Sequence, residues 1–244
     1  MEEKLWDSDL FINKNIPYLF NHEIIEYDMR EAGFNLIQEY KLLPERVINT
    51  MKRATKDARK IRIGQMERTN KELVEKKKEA FKEARKKFIT ANELEIQDII
   101  TIKKDAIFVS KRCDYTKFGE FIEFREKNYY TSFLSVGNLE IYCGPESYAV
   151  KGISDEKLIN HEPYMIQFIN DYCKKMETDS PERVISFTRR FIDKYKAREL
   201  EMGYYLPFNR KSEFEFTEDE NGKRVVDISY NFQNILLPLI KIPL

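Results

Sequence analysis

The chain has 244 residues, of which 42% are hydrophobic, so it is long enough for one large domain or two small ones. Lys plus Arg and Asp plus Glu each number 42, which excludes a uniformly basic or acidic protein. No apolar run approaches the roughly twenty residues that cross a bilayer, and the acidic start MEEKLWDSDLF is not expected to be a signal peptide. We therefore expect a cytoplasmic protein with no membrane partner.

The first half of the chain alternates between strand and helix patterns. Residues 22–28 are rich in Ile and Tyr, which predicts a strand. From Met29 onward the apolar residues follow a helical period. Gly64 is expected to interrupt a basic region, and residues 65–91 predict a long amphipathic helix beyond it.

The middle of the chain predicts short antiparallel strands. Residues 99–109 predict two strands around a polar turn at Lys103–Lys104. The stretches GEFIEF, NYYTSFLSV and LEIYC then alternate or run apolar, and Gly137–Asn138 is expected to turn a hairpin. These segments together predict a meander.

The last third is predicted to be mainly helical. One helix is expected to start at Ser154, and the sequence SPE at 180–182 is a stronger helix start, with an end near Gly203. A hairpin turning at Asn221–Gly222 follows. The fold class is therefore α+β, with an antiparallel sheet, helices packed on it, a basic helical insertion and a helical C-terminal part.

This pattern predicts two regions. Residues 1–150 hold the sheet together with the basic helical segment, at about 44–92, and residues 151–244 form a helical and hairpin region. The three cysteines, Cys113, Cys143 and Cys173, are far apart and form no CxxC pattern. They predict free thiols in a reducing compartment and no zinc site.

Positive charge is concentrated in one segment. Between Lys52 and Lys87 there are fifteen Lys or Arg residues and six Asp or Glu residues, a net charge of +9. This asymmetry favours a surface that faces a polyanion. The alternative is a solvated helix whose charges pair at i,i+4 spacing.

Two single carboxylates stand in otherwise apolar segments. Asp28 lies in IIEYDMREAGFNLI and Asp105 lies in IITIKKDAIFV. Two such acids brought side by side would repel, and a divalent ion between them would stabilise the pair. The candidate cofactor is therefore Mg²⁺ or Mn²⁺. The alternative is that Asp28 caps the helix that follows and that Asp105 sits in a hairpin turn.

The segments around these acids resemble the motifs of nucleic-acid polymerase palms, above all those of family-B DNA polymerases. YDMREAGFNLI resembles motif A, KDARKIRIGQ is similar to motif B, and IKKDAIFV resembles motif C, in the family's order A, B, C. The set also resembles uncharacterised proteins of bacteriophages and prophages. If the chain is encoded by a phage, the expected location is the host cytoplasm.

The resemblance implies roles for particular residues. Asp28 and Asp105 match metal ligands and would be catalytic, whereas Lys103 stands where motif C has its first Asp. Gly33 replaces the motif A aromatic residue, and motif B lacks its Tyr. The phosphate-binding residues implied by motif B are Lys56, Arg59, Lys60 and Arg62.

Three functions remain open. The first is a minimal template-directed nucleotidyltransferase, a stripped palm with miniature fingers and a thumb-like or covering C-terminal region. It would use nucleic acid, with DNA favoured over RNA, nucleoside triphosphates and a possible partner protein chain. The second is a non-catalytic nucleic-acid-binding or phage-assembly protein with a palm-like fold, favoured by the missing third carboxylate and by Lys103. The third is a protein-interaction module.

Overall fold

The structure is a computed structural model that describes residues 5–7, 9–136, 139–145, 148–152, 167–201, 217–218 and 224–225. The chain forms two compact units. The first comprises residues 1–16 and 23–129, and the second comprises residues 17–22 and 130–244. The division after residue 129 falls earlier than the expected boundary after residue 150, because the strands that follow form a sheet of their own.

The described residues form strands, α-helices and short 3-10 helices. The strands are β1 (Leu10–Ile12), β2 (Tyr18–Leu19), β3 (Ile24–Met29), β4 (Ile99–Lys103), β5 (Ala106–Val109), β6 (Phe124–Tyr130), β7 (Ser132–Val136), β8 (Leu139–Cys143), β9 (Tyr148–Lys151), β10 (Thr217–Glu218) and β11 (Arg224–Val225). The helices are α1 (Ala32–Glu39), α2 (Glu45–Lys52), α3 (Lys56–Thr69), α4 (Lys71–Ala91), α5 (Gln167–Thr178) and α6 (Pro181–Ala197). Two short 3-10 helices cover Leu5–Asp7 and Ile96–Asp98.

The first unit is built on a five-stranded sheet in the order β1-β4-β5-β3-β6. The pairs β1/β4, β4/β5 and β3/β5 are antiparallel. Because side chains alternate across a strand, Ile25, Tyr27 and Met29 of β3 share one face, and all three belong to the main core of this unit. Helix α4 covers that face, where Phe88 lies 5.2 Å from Tyr27 and 4.5 Å from Phe124 between ring centroids.

A buried arginine on α4 fixes the turn between β4 and β5. The Arg85 side chain has no exposed surface, and it donates hydrogen bonds to the carbonyls of Trp6 and Lys104 and to the carboxylate of Asp9. Burial lowers the pKa of Arg85, which the negative charge of Asp9 opposes. Asp9 also accepts a hydrogen bond at its carbonyl from the Lys104 amide, 2.7 Å away. Hydrogen bonds to Arg85 and to Asp9 therefore fix Lys104, the residue that precedes Asp105 in the turn.

The second unit contains a four-stranded antiparallel sheet in the order β2-β7-β8-β9. Helices α5 and α6 pack on each other through Phe168 and Phe191, whose ring centroids are 4.0 Å apart. The Ser132 hydroxyl of β7 donates a hydrogen bond to the Glu177 carboxylate of α5, which ties that helix to the sheet. Strands β10 and β11 form a separate two-stranded pair.

The predicted α+β class with antiparallel sheets is confirmed. Helix α6 begins as the sequence indicates, with Ser180 as the residue before its first turn and Pro181 as the first helical residue. It ends at Ala197, where Arg198 takes a left-handed conformation with φ of 60°. The predicted helix end near Gly203 is therefore wrong, because the left-handed backbone at Arg198 ends the helix earlier. The expected helix start at Ser154 and the turns at Gly137–Asn138 and Asn221–Gly222 lie outside the described residues.

The structure differs from the expected boundaries at several positions. Helix α1 starts at Ala32 and not at Met29, because the Met29 amide is bound to the Asp105 carbonyl and extends β3. Gly64 lies inside α3 and does not interrupt it.

The expected single helix over residues 65–91 is instead broken at Asn70, whose side chain accepts a hydrogen bond from the Leu73 amide and so caps α4. The polar turn consists of Lys104 and Asp105, since Lys103 pairs with Ala106 in the ladder.

Replacing the buried arginine tests how the turn is held. Arg85→Ala should lower the free energy of unfolding by about 2–3 kcal/mol, because buried carbonyls lose their hydrogen-bond donor. Urea denaturation monitored by circular dichroism would measure the change. Arg68→Ala, which removes an exposed arginine from α3, is the matched control and should shift the midpoint little. Equal effects from the two variants would contradict this role for Arg85.

Candidate functional site

The β3–β5 register brings the two predicted carboxylates together. Asp28 of β3 lies opposite Ala106 of β5, and Asp105 is the residue just before that partner. The Met29 amide donates a hydrogen bond of 2.9 Å to the Asp105 carbonyl. Both acids are partly exposed and line one cleft of about 300 Å³. Asp28 is thus a strand residue and not a helix cap, whereas Asp105 does sit in a hairpin turn.

The electrostatics of Asp28 reflect this placement. Burial raises the pKa of its carboxyl group, the Lys127 ammonium opposes that rise, and the negative charges of Asp105 and Glu26 add to it. The Lys127 Nζ lies 3.7 Å from Asp28 Oδ1 and 3.4 Å from Glu26 Oε1. Two acids that repel each other beside one ammonium group carry more negative charge than that ammonium neutralises.

Helix α3 supplies the opposite charge to the same cleft. Its lining residues follow helical spacing and so share one face: Lys56, Arg59, Lys60, Ile63, Gly64 and Glu67. Within the described part of the chain, neither Lys56 nor Lys60 forms an ion pair. Arg62 does not line this cleft and is exposed on another face of the helix. Three of the four predicted phosphate-binding residues therefore lie beside the two acids.

Arg59 is engaged in holding α3 against the start of α1. It forms an ion pair with Glu31 at 2.7 Å and donates to the Ala54 carbonyl at 2.7 Å. Its guanidinium lies over the Phe34 ring, 5.0 Å from the centroid. These contacts give Arg59 a structural role in the cleft wall. Among the described residues, Lys56 and Lys60 are then the cations of α3 that line the cleft without an ion pair.

The backbone beside each acid is unusual. Glu31 and Lys104 have φ values of 42° and 53°, in the left-handed region that residues with a side chain seldom adopt. Glu31 joins β3 to α1, and Lys104 immediately precedes Asp105. Such conformations cost roughly 1–3 kcal/mol each and cluster at functional sites.

Several residues in or beside the cleft were not anticipated. Glu26 shares a strand face with Asp28, so alternation along β3 could have identified it. Lys127 comes from β6, a strand that is distant from β3 in the sequence. Lys77 comes from α4 and pairs with Glu67 inside the cleft. Their approach depends on tertiary packing, which no local pattern records. A β-carbon at Gly33 would lie 3.8 Å from Lys77 Nζ, which is an ordinary van der Waals contact, so this position has room for a small side chain.

Within the residues that the structure describes, no group of three or more His, Cys, Asp or Glu side chains is arranged to hold a metal ion. Cys113 and Cys143 are free and buried, and burial raises the pKa of the Cys113 thiol to about 12. The side chain of Cys173 lies outside the part of the chain that the structure describes.

None of the helices in the described ranges is both long and apolar enough to cross a membrane.

An α+β protein with a two-carboxylate, lysine-lined cleft is the class that these observations define. A family model described as Bacteriophage PBS1 gene 130 protein matches residues 1–240, and the chain belongs to that family. The match confirms the association with bacteriophage proteins, while the polymerase-palm resemblance stays a prediction. No curated protein matches the chain.

The raised pKa of Asp28 gives a pH-dependent prediction. The folded state binds the Asp28 proton more tightly than the unfolded state, so its ionisation destabilises the fold once the pH exceeds the ordinary value of about 4. Asp28→Asn should therefore be more stable than wild type at pH 7, and the difference should shrink as the pH falls towards 4.

Urea denaturation at several pH values would measure this effect. Asp114→Asn, which removes an exposed aspartate outside the cleft, is the matched control for the loss of one carboxylate. A variant of Asp28 that is less stable than wild type at pH 7 would show that the ion pair with Lys127 outweighs burial and repulsion.

Proposed function

We propose that the protein is a divalent-metal-dependent nucleotidyltransferase with a polymerase-like palm, which extends a nucleic-acid strand from nucleoside triphosphates. DNA is favoured over RNA by the resemblance to family-B enzymes. The observation that carries this proposal is the shared cleft, in which Asp28 and Asp105 stand beside Lys56 and Lys60 of α3. Carboxylates that bind Mg²⁺ and lysines that bind phosphate are the two groups that nucleotidyl transfer requires.

The donor set fits one divalent ion. Mg²⁺ prefers oxygen ligands and commonly uses one or two protein carboxylates together with substrate phosphates and water. Asp28 and Asp105 would hold it, and the burial and mutual repulsion of the two acids favour a bound cation. When bound, Mg²⁺ or Mn²⁺ would neutralise negative charge on the phosphates and make a hydroxyl group a better nucleophile.

The protein's own groups would position the substrate. Lys56 and Lys60 project from α3 into the cleft and would bind the phosphates of an incoming nucleotide. Arg59, held by Glu31, fixes the side of α3 from which these lysines extend. Preorganised cations of this kind stabilise charge that develops on phosphate oxygens. A partner protein chain that completes the grip on nucleic acid belongs to the same proposal.

A second candidate is a non-catalytic nucleic-acid-binding or phage-assembly protein with the same fold. One observation favours it: the Lys127 ammonium lies 3.7 Å from Asp28, where it repels an incoming divalent ion. In that case the basic face of α3 would bind a phosphate backbone without chemistry. The two candidates differ in whether the carboxylates matter for incorporation.

The enzymatic proposal predicts that each acid is needed for catalysis. Asp28→Asn and Asp105→Asn should each lower nucleotide incorporation by at least about a hundredfold, because each removes one negative charge from the ion's ligand set. Primer extension and unprimed synthesis, with dNTPs and NTPs in Mg²⁺ or Mn²⁺, would measure it. Asp114→Asn is again the control.

Wild-type protein that incorporates no nucleotide under any of these conditions, yet still binds nucleic acid, would favour the non-catalytic candidate.

The basic face of α3 predicts the binding behaviour shared by both candidates. Lys60→Glu should weaken binding to nucleic acid for all sequences and flatten the salt dependence, because fewer counterions are released. Fluorescence anisotropy at several salt concentrations would measure both changes. Arg62→Glu makes the same charge change on the same helix but outside the cleft, and should have the smaller effect. Equal effects would mean that the cleft is not the binding surface.

A further inference from the structure

The ammonium group of Lys77 is a buried charge that lines the cleft and has no part in the function proposed above. The Lys77 side chain comes from α4 and is only 11% exposed. Its Nζ lies 6.0 Å from the centroid of the Phe81 ring. Within the part of the chain that the structure describes, Glu67 is the one carboxylate that pairs with Lys77. An ammonium group has three hydrogen-bond donors, so this pair leaves Lys77 able to donate to a further acceptor.

The charged side chains that line the cleft balance one another. Four are basic and four are acidic: Lys56, Arg59, Lys60 and Lys77, and Asp28, Glu31, Glu67 and Asp105. Two ion pairs, Arg59–Glu31 and Lys77–Glu67, join walls of the cleft. A cleft with balanced charge offers a phosphate group little net attraction. A phosphate therefore binds more strongly if one of the acids gives up its cation.

Glu67 is the acid best placed to do so. Its side chain is 29% exposed, against 11% for Lys77, and it lies in the last turn of α3. A carboxylate that turns towards solvent regains its hydration, whereas a buried ammonium needs another anion in its place. A phosphate oxygen can be that anion, because hydrogen bonds between an ammonium group and a phosphate are charge-assisted and strong.

We propose that Lys77 is a phosphate-binding residue of the cleft, and that Glu67 competes with the phosphate of the substrate for its ammonium group. This inference deepens the proposed function, from which it takes a substrate that carries phosphate. The phosphate belongs either to a free nucleotide or to the backbone of a strand, and the two share the chemistry that Lys77 recognises. Glu67 acts as a built-in inhibitor of phosphate binding.

Replacing Glu67 should strengthen phosphate binding. Glu67→Gln should bind inorganic tripolyphosphate about tenfold more tightly than wild type, because glutamine still accepts a hydrogen bond from Lys77 but carries no competing charge. Lys77→Met should bind it about tenfold more weakly. The gain from Glu67→Gln should disappear in the Glu67→Gln/Lys77→Met double variant, which completes a double-mutant cycle.

Isothermal titration calorimetry on the full chain in EDTA would measure these affinities. Tripolyphosphate and oligothymidylate are the two probes, and the probe for which Glu67→Gln shows the gain identifies the source of the phosphate. Glu75→Gln and Lys78→Met are the matched controls. They alter an exposed ion pair on α4 that does not line the cleft, and they should leave both affinities unchanged.

Several outcomes would overturn the inference. One is an unchanged affinity of Glu67→Gln for both probes. Another is a gain that persists in the double variant, since it would arise from net charge and not from Lys77. Absence of binding of either probe to wild type and to Glu67→Gln would show that the cleft takes no phosphate.

A measurement on wild type decides the case if Lys77→Met does not fold. The carbon-13 resonance of the Glu67 carboxyl group, identified by its loss in Glu67→Gln, should shift when the protein is saturated with the probe. An unchanged resonance would contradict displacement of Glu67. Because these experiments contain no divalent metal and measure no incorporation, failure of the inference is distinguishable from failure of the catalytic proposal.

Discussion

The approach of two carboxylates across one antiparallel ladder is the constraint around which the site is arranged. The hydrogen bond from the Met29 amide to the Asp105 carbonyl, at 2.9 Å, carries β3 one residue further and sets Asp28 beside Asp105. Like charges at such a place need a compensating cation. Lys127 provides one from β6, and the cleft offers further positive charge from α3.

The surrounding scaffold keeps this arrangement in place from both ends. On the hairpin side, Arg85 binds the Lys104 carbonyl from within the core, so a buried charge is used to hold the turn. On the helix side, the ion pair between Glu31 and Arg59 fixes α3 against the start of α1. Both connections pass through residues with left-handed backbone, Glu31 and Lys104. The strain at these two points is maintained by the packing on either side, and the cleft lies between them.

The sequence predicted those parts of the fold that local patterns determine. Enrichment in Ile and Tyr indicated β3, and the helix start at Ser180 was correct because an N-cap residue followed by Pro depends only on neighbouring residues. The break at Asn70 was missed because the cap that starts α4 rests on a single side chain. The left-handed turn at Lys104 was misplaced by one residue because its conformation is imposed by Arg85 and Asp9 from distant parts of the chain.

The site residues show the same contrast between what local patterns predict and what depends on tertiary contacts. Asp28, Asp105, Lys56 and Lys60 could be selected because acids in apolar strands and lysines on a basic helix stand out in the sequence, and the structure gathers them in one cleft. Arg59 was selected for the same reason, yet its contacts with Glu31 and Ala54 are structural. Lys127 could not be selected, because its meaning arises only when β6 is placed next to β3. Residues that reach the site only through tertiary packing produce no recognisable spacing in the sequence.

The central claim is that Asp28 and Asp105 share a divalent ion, and anomalous X-ray scattering tests it most directly. Crystals grown or soaked with Mn²⁺ would be measured on both sides of the manganese absorption edge. The account predicts one anomalous peak within coordination distance of both carboxylates, with Lys127 still between Asp28 and Glu26. Absence of a peak there at millimolar Mn²⁺, or a peak bound only by other residues, would contradict it.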